Sequence, residues 1–148
     1  CMTCHGLAHP SLKADDLAKM LGAGHPINTD FELVKYSQGS VRHRHYLPDI
    51  KTNAEMTPQE LANIYVVGQA AALVSATEAM SKSGEAKYKE AQSKRVEIAK
   101  AALSGISEAA GLLAAPTRQN ALSFVKSVAG KDLTGTIGSK LPAKSDYK

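Results

Sequence analysis

The rhythm of apolar and polar positions changes at residue 57. Beyond it, apolar residues recur three and four apart, the spacing that lines up one face of a helix. Thr57-Pro58-Gln59-Glu60 reads as a helix start. Thr57 can cap, Pro58 suits the first helical position, and Glu60 completes a capping box. The pattern predicts a helix over 58–83, broken by Gly84. A second long helix is expected over 85–115, stopped by Pro116. Val96, Ala99, Leu103, Ile106, Ala110 and Leu113 would form its heptad seam, whose ordinary use is packing between antiparallel helices. Thr117 can cap a third helix over 118–128, with Leu122, Val125 and Val128 turned inward. From Gly130 the chain is rich in Gly, Ser, Lys and Pro, and an extended or mobile tail is expected.

Residues 1–56 lack such a pattern and hold all five histidines and three of the six prolines. One short helix is expected over 12–21, with Ser11 as N-cap, Gly22 as stop, and Leu12, Leu17, Met20 and Leu21 on its apolar face. Residues 31–36 alternate weakly, but a lone strand has no partner, so a loop or a turn of helix is expected there. The fold expectation is all-α. It is a single domain over 1–148: an irregular N-terminal segment (1–56), a long antiparallel helical hairpin with a shorter third helix (57–129), and a tail (130–148).

Composition narrows the function classes. Hydrophobic residues at 43% and charged residues at 22% of 148 describe a globular chain. No stretch approaches the roughly 18 apolar residues of a membrane span. The best run, 61–77, is interrupted by Asn63, Gln69 and Ser75. Aromatics are few, with two Phe, five Tyr and no Trp, so a large apolar cofactor would add much to the buried area. The net charge of +4 lies entirely in residues 57–148, with twelve basic and eight acidic side chains, while residues 1–56 balance at six and six. The lysines are diluted by glutamates and no aromatic-basic surface interrupts them, which argues against nucleic-acid binding. There is no phosphate-binding Gly-rich loop and no constellation for hydrolysis or group transfer, so no enzyme activity is expected.

The chemistry-bearing motif is Cys1-Met2-Thr3-Cys4-His5. Cys-x-x-Cys-His is the attachment pattern of c-type haem. Two thiols three apart on one helical turn can add across the two haem vinyl groups, and the adjacent His5 is then held beneath the iron as proximal ligand. Both cysteines of the chain fall in the motif. A thioredoxin-like pair is disfavoured because no βαβ pattern surrounds it. A zinc site on Cys1, Cys4 and His5 or His9 is disfavoured because adjacent ligands such as Cys4 and His5 rarely close on one tetrahedral ion. A lipidated Cys1 competes directly, since one sulfur cannot carry both groups. No charged n-region or apolar h-region precedes Cys1, which fits a removed signal or a fragment missing its preceding residues.

Residues 1–6, Cys-Met-Thr-Cys-His-Gly, resemble the attachment site of the c-type cytochromes, including the frequent glycine. Residues 56–64 are similar to the start of the C-terminal helix of class I members. The resemblance covers about residues 1–70, and its specific part is the attachment motif. It departs from the family in the roughly 80 further residues, and in reading His43-Arg44-His45-Tyr46-Leu47-Pro48 where a distal methionine would be usual. The resemblance implies one covalent haem c held by Cys1, Cys4 and His5.

The sixth ligand is sought among the remaining histidines and methionines. Met2 lies inside the motif and cannot reach the opposite face, and His9 is too close to His5. Met20 and Met80 are further candidates. His43 and His45 lie in one loop about forty residues from His5. His45 is favoured because Tyr46-Leu47-Pro48 can stiffen the loop, with Arg42 and Arg44 near a propionate. His43, His25 and Met56 are the alternatives, and the ordinary reading of Met56 is a hydrophobic staple onto its helix. A thioether ligand would raise the reduction potential relative to a second imidazole.

The function expected is single-electron transfer in the periplasm or outside the cell, with a redox partner protein docking at the haem edge. One alternative is a five-coordinate haem that binds or senses a small gas. Another is a structural cytochrome subunit, a homo-oligomer assembled through the long helices. The Lys-rich tail could dock an acidic partner.

Overall fold

The computed structural model describes residues 1–39 and 55–148. All regular structure among them is helical. His43 and His45, with Arg42 and Arg44, lie outside the described residues.

In chain order the helices are α1 (Met2–His5), α2 (Ala14–Gly22), α3 (Leu33–Ser37), α4 (Pro58–Lys82), α5 (Ala86–Leu103), α6 (Ala110–Ala114), α7 (Arg118–Val128) and α8 (Thr134–Ile137). The longest helix, α4, starts as its sequence dictates. The Thr57 side chain accepts from the Glu60 backbone N–H at 3.3 Å, and Glu60 accepts from the Thr57 N–H at 2.7 Å, the reciprocal capping box. Small residues dominate its middle. Ala62, Val66, Ala70, Leu73 and Ala76 are almost fully buried, because α4 is the shaft on which the other helices pack. Its main partner is α5. Met56 packs into the main core just ahead of the cap, in keeping with a staple.

Within residues 31–36 a turn of helix does form, but it begins only at Leu33 and runs to Ser37, with Phe31 and Glu32 ahead of it. α3 is capped by Glu32, whose carboxylate accepts from the Val34 and Lys35 N–H groups, both at 2.8 Å. Burial raises the pKa of that carboxyl more than these bonds lower it.

Four expectations need correction. The short helix starts at Ala14 after an N-cap at Lys13, not at residue 12 after Ser11. Asp15 and Asp16 sit in its first turn, where the helix dipole favours acids. Its buried side is Ala14, Leu17 and Ala18, while Leu12 and Met20 are exposed.

The second long helix does not run to 115. It ends at Leu103, and Gly105 reverses the chain at φ 86°, a conformation with little penalty only for glycine. A short 3₁₀ turn at Ser107–Ala109 then leads into α6. The break shifts the register, so Ala109 and Leu112 are buried where Ala110 and Leu113 were expected. Within α5 the buried stripe is Tyr88, Gln92, Arg95, Ala99, Ala102 and Leu103, and Val96 is only half-buried.

In α7 the inward residues are Phe124 and Val128, with Val125 half-buried and Leu122 exposed. The segment after Gly130 is not a free tail. Leu133 and Ile137 are buried in the main core, and Leu141 and Tyr147 pack against it. Its lysines serve the chain itself. Lys140 donates to the Ala101, Ala102 and Ser104 carbonyls at the end of α5, at 3.1, 3.0 and 2.6 Å. Lys131 pairs with Glu108, Lys144 with Glu55, and Lys148 bonds the Tyr36 hydroxyl.

Candidate functional site

α1 is a single turn, closed by the bond from the His5 N–H to the Cys1 carbonyl at 3.0 Å. With about 100° between successive residues, Cys1, Cys4 and His5 share one face of it. All three are exposed and both thiols are free. Met2 of the turn, and Gly6, Leu7 and Ala8 after it, are buried. One turn thus separates a chemical face from an anchoring face.

The turn ends in a Schellman motif. The Ala8 N–H donates to the Thr3 carbonyl at 2.7 Å and the Leu7 N–H to the Cys4 carbonyl at 3.1 Å. The left-handed position of this motif usually takes glycine, but here it is Leu7, at φ 47°. Leu7 is tolerated there because its side chain fills the second core cluster with Leu17, Ala18, Ala79 and Tyr88. The Tyr88 hydroxyl also donates to its carbonyl.

Gly6 is needed for a different reason. Its backbone, at φ −95° and ψ 9°, is open to any residue, but a Cβ there would lie 2.1 Å from the Cζ of Arg95. Arg95 is 3% exposed, and its guanidinium fills the space beneath the turn. It donates to the Met2 carbonyl at 2.8 Å, the Gly6 carbonyl at 3.3 Å, the Gln92 side-chain oxygen at 2.7 Å and the Ser75 hydroxyl at 3.2 Å. Gln92, itself fully buried, donates to the Gly6 carbonyl at 2.9 Å. No carboxylate bonds this guanidinium among the described residues. Burial without a counter-charge brings its pKa down to about 10.

His5 is oriented from the side. Its ring stacks on Phe31 at 4.0 Å between centroids and 4° between planes. Phe31 packs on Tyr36 at 4.7 Å. The Tyr36 hydroxyl accepts from the Asn28 amide at 2.7 Å, and the Asn28 N–H donates to the His5 carbonyl at 3.2 Å, closing the circuit.

The other candidates are scattered. His9 accepts at Nδ1 from the Ser11 N–H at 3.3 Å. The exposed His25 has Nδ1 2.8 Å from the Pro26 carbonyl. Met2 and Met56 are core residues and Met20 is exposed. Among the described residues, no group of three or more His, Cys, Asp or Glu side chains could hold a metal ion between them. Haem c asks less of this turn: two accessible thiols one turn apart and one adjacent imidazole, all on one face. The donor set of α1 fits that demand.

Tyr88, Gln92, Arg95 and Phe31 were not singled out from the sequence. The first three do repeat at helical spacing with Ala99, but the amide and the guanidinium disguise the stripe as a solvated face. Comparison with family models, with curated proteins and with solved structures finds no match to this chain.

Proposed function

We propose that this chain is a monohaem c-type cytochrome that carries single electrons. The observation that carries the reading is the Cys1-Met2-Thr3-Cys4-His5 turn, with both thiols and the imidazole on one exposed face and the other face bonded to α5. Cys1 and Cys4 would each add a thiol S–H across a haem vinyl group, forming thioethers with no oxidant required. His5 and His45 would be the residues that ligate the iron. Bound haem would supply a one-electron iron couple. The chain's own residues would hold and orient it: Phe31 stacks on the His5 ring, the Asn28 N–H bonds the His5 carbonyl, and Gln92 and Arg95 of α5 tie down the other side of the turn. With both histidines bound to it, the haem would exchange electrons with a partner protein rather than take up a substrate. The proposed setting is the periplasm or the extracellular space.

The test is expression in a host with periplasmic haem-maturation machinery. The denatured chain should keep its haem on a gel and gain the mass of one haem. Cys1→Ala and Cys4→Ala should each leave one thioether, and the double variant none. An intact mass equal to the bare polypeptide overturns the proposal. His45→Ala should convert a low-spin spectrum to high-spin and admit CO, while His43→Ala should do much less. An unchanged low-spin spectrum in His45→Ala moves the ligand to His43, His25 or Met56. Immediate CO binding by the native ferrous protein would replace the electron carrier with the gas-binding reading.

A further inference from the structure

Arg95 is a buried cation held by neutral groups, a costly arrangement that a structural role alone does not require. An uncharged donor would satisfy the Met2 and Gly6 carbonyls with less desolvation. The charge lies directly beneath the residues between and after the two cysteines. We infer that Arg95 sets the reduction potential of the group attached to this turn, holding it higher than an otherwise identical neutral site would; the inference rests on the haem reading above.

One-electron reduction adds one negative charge at the attachment face and neither forms nor breaks a bond. The electron comes from a redox partner protein or, in the test, from an electrode through soluble mediators. A fixed positive charge favours the reduced state. Its leverage follows from geometry. A helix with its side chains is about 10–12 Å across, so a charge under one face of α1 lies roughly 10 Å from a group on the other. At that distance, with an effective dielectric of about 20, a unit charge moves a one-electron equilibrium by about tenfold. A guanidinium also stays charged at any working pH, whereas a lysine so buried would tend to lose its proton. The Ser75 hydroxyl and the Gln92 amide hold the group in place without neutralising it.

The experiment measures midpoint potentials of the haem-loaded wild type, Arg95→Met and Ser75→Asp by mediated spectroelectrochemistry. Arg95→Met removes the charge. Ser75→Asp keeps it and sets a carboxylate beside it, at a position bordering the apolar groove between α1, α4 and α7, where the longer side chain has room. Both variants should shift toward the oxidised state by about tenfold, about 59 mV for one electron. The absorption spectrum should stay low-spin, which separates a charge effect from a lost ligand. If Arg95→Met does not accumulate, Ser75→Asp alone decides. Shifts below about twofold in the redox equilibrium, about 18 mV, in the variants that carry haem overturn this inference and leave the haem reading standing. A wild type without covalent haem brings down both.

Discussion

Gly6→Ala isolates the contact that holds the attachment turn to the rest of the protein. At φ −95° and ψ 9° an alanine meets no backbone penalty, so the cost comes from what its Cβ displaces. That Cβ would sit 2.1, 2.3 and 2.4 Å from the Cζ, Nη2 and Nη1 of Arg95. The guanidinium must move, and with it go the bonds to the Met2 and Gly6 carbonyls. Hydrogen bonds to a charged group contribute about 1.5–3 kcal/mol each, and stranding a buried charge costs about 3–5 kcal/mol. A tilted side chain will keep part of its network, and the loss of a glycine from the unfolded chain returns about 0.4–1 kcal/mol. The net expectation is a loss of about 3 kcal/mol, or roughly 6–12 °C in Tm for a chain of this size. The assay is urea unfolding followed by far-UV circular dichroism, on wild type, Gly6→Ala, Arg95→Met and the double variant. In the Arg95→Met background the alanine has no guanidinium to meet, and its cost should fall below about 1 kcal/mol. A cost that is the same in both backgrounds, or a Gly6→Ala loss below about 1 kcal/mol, would refute the account of this glycine.

Three further outcomes follow from the packing. Phe124→Ala should cost about 3–5 kcal/mol and Leu122→Ala less than about 0.5 kcal/mol, because Phe124 is 2% exposed and Leu122 57%; equal costs by urea unfolding would contradict the orientation of α7. Lys140→Met should cost about 1 kcal/mol and increase amide exchange at the end of α5, since three carbonyls lose their donor there. Lys131 and, less strongly, the Glu108 N–H and the Ser107 hydroxyl hold the Glu108 carboxyl down at about 2, against an ordinary 4.5. A depressed folded-state pKa gives stability that is present above pH 4.5 and lost as pH falls toward 2. Lys131→Met should therefore flatten the decline of stability between pH 4.5 and about 2, and an unchanged slope would contradict the pairing.

The sequence by itself determined what rests on local chemistry. The start of α4 was legible because the Thr57–Glu60 capping box satisfies its own donors within four residues. The cap at Thr117 was legible for the same reason, and its side chain accepts from the Asn120 N–H as a cap should. The grouping of Cys1, Cys4 and His5 on one face followed from spacing on a single turn. What only the tertiary structure decided involves partners far apart in sequence. The break after Leu103 was hidden because the heptad pattern continues through it in composition. A glycine inside a helix is tolerated, and only the Lys140 ammonium, 36 residues beyond Ser104, shows the end of α5 to be capped there. The last nineteen residues read as solvent-exposed because Gly, Ser and Lys dominate them. Their few apolar residues, Leu133, Ile137, Leu141 and Tyr147, suffice to dock them once the core offers a surface. The underside of the attachment turn was the least legible part. Arg95 and Gln92 read as surface residues by every local rule, since an isolated charge is not buried. Only the fold brings them under the Met2 and Gly6 carbonyls, about ninety residues earlier in the chain, to which they donate away from water.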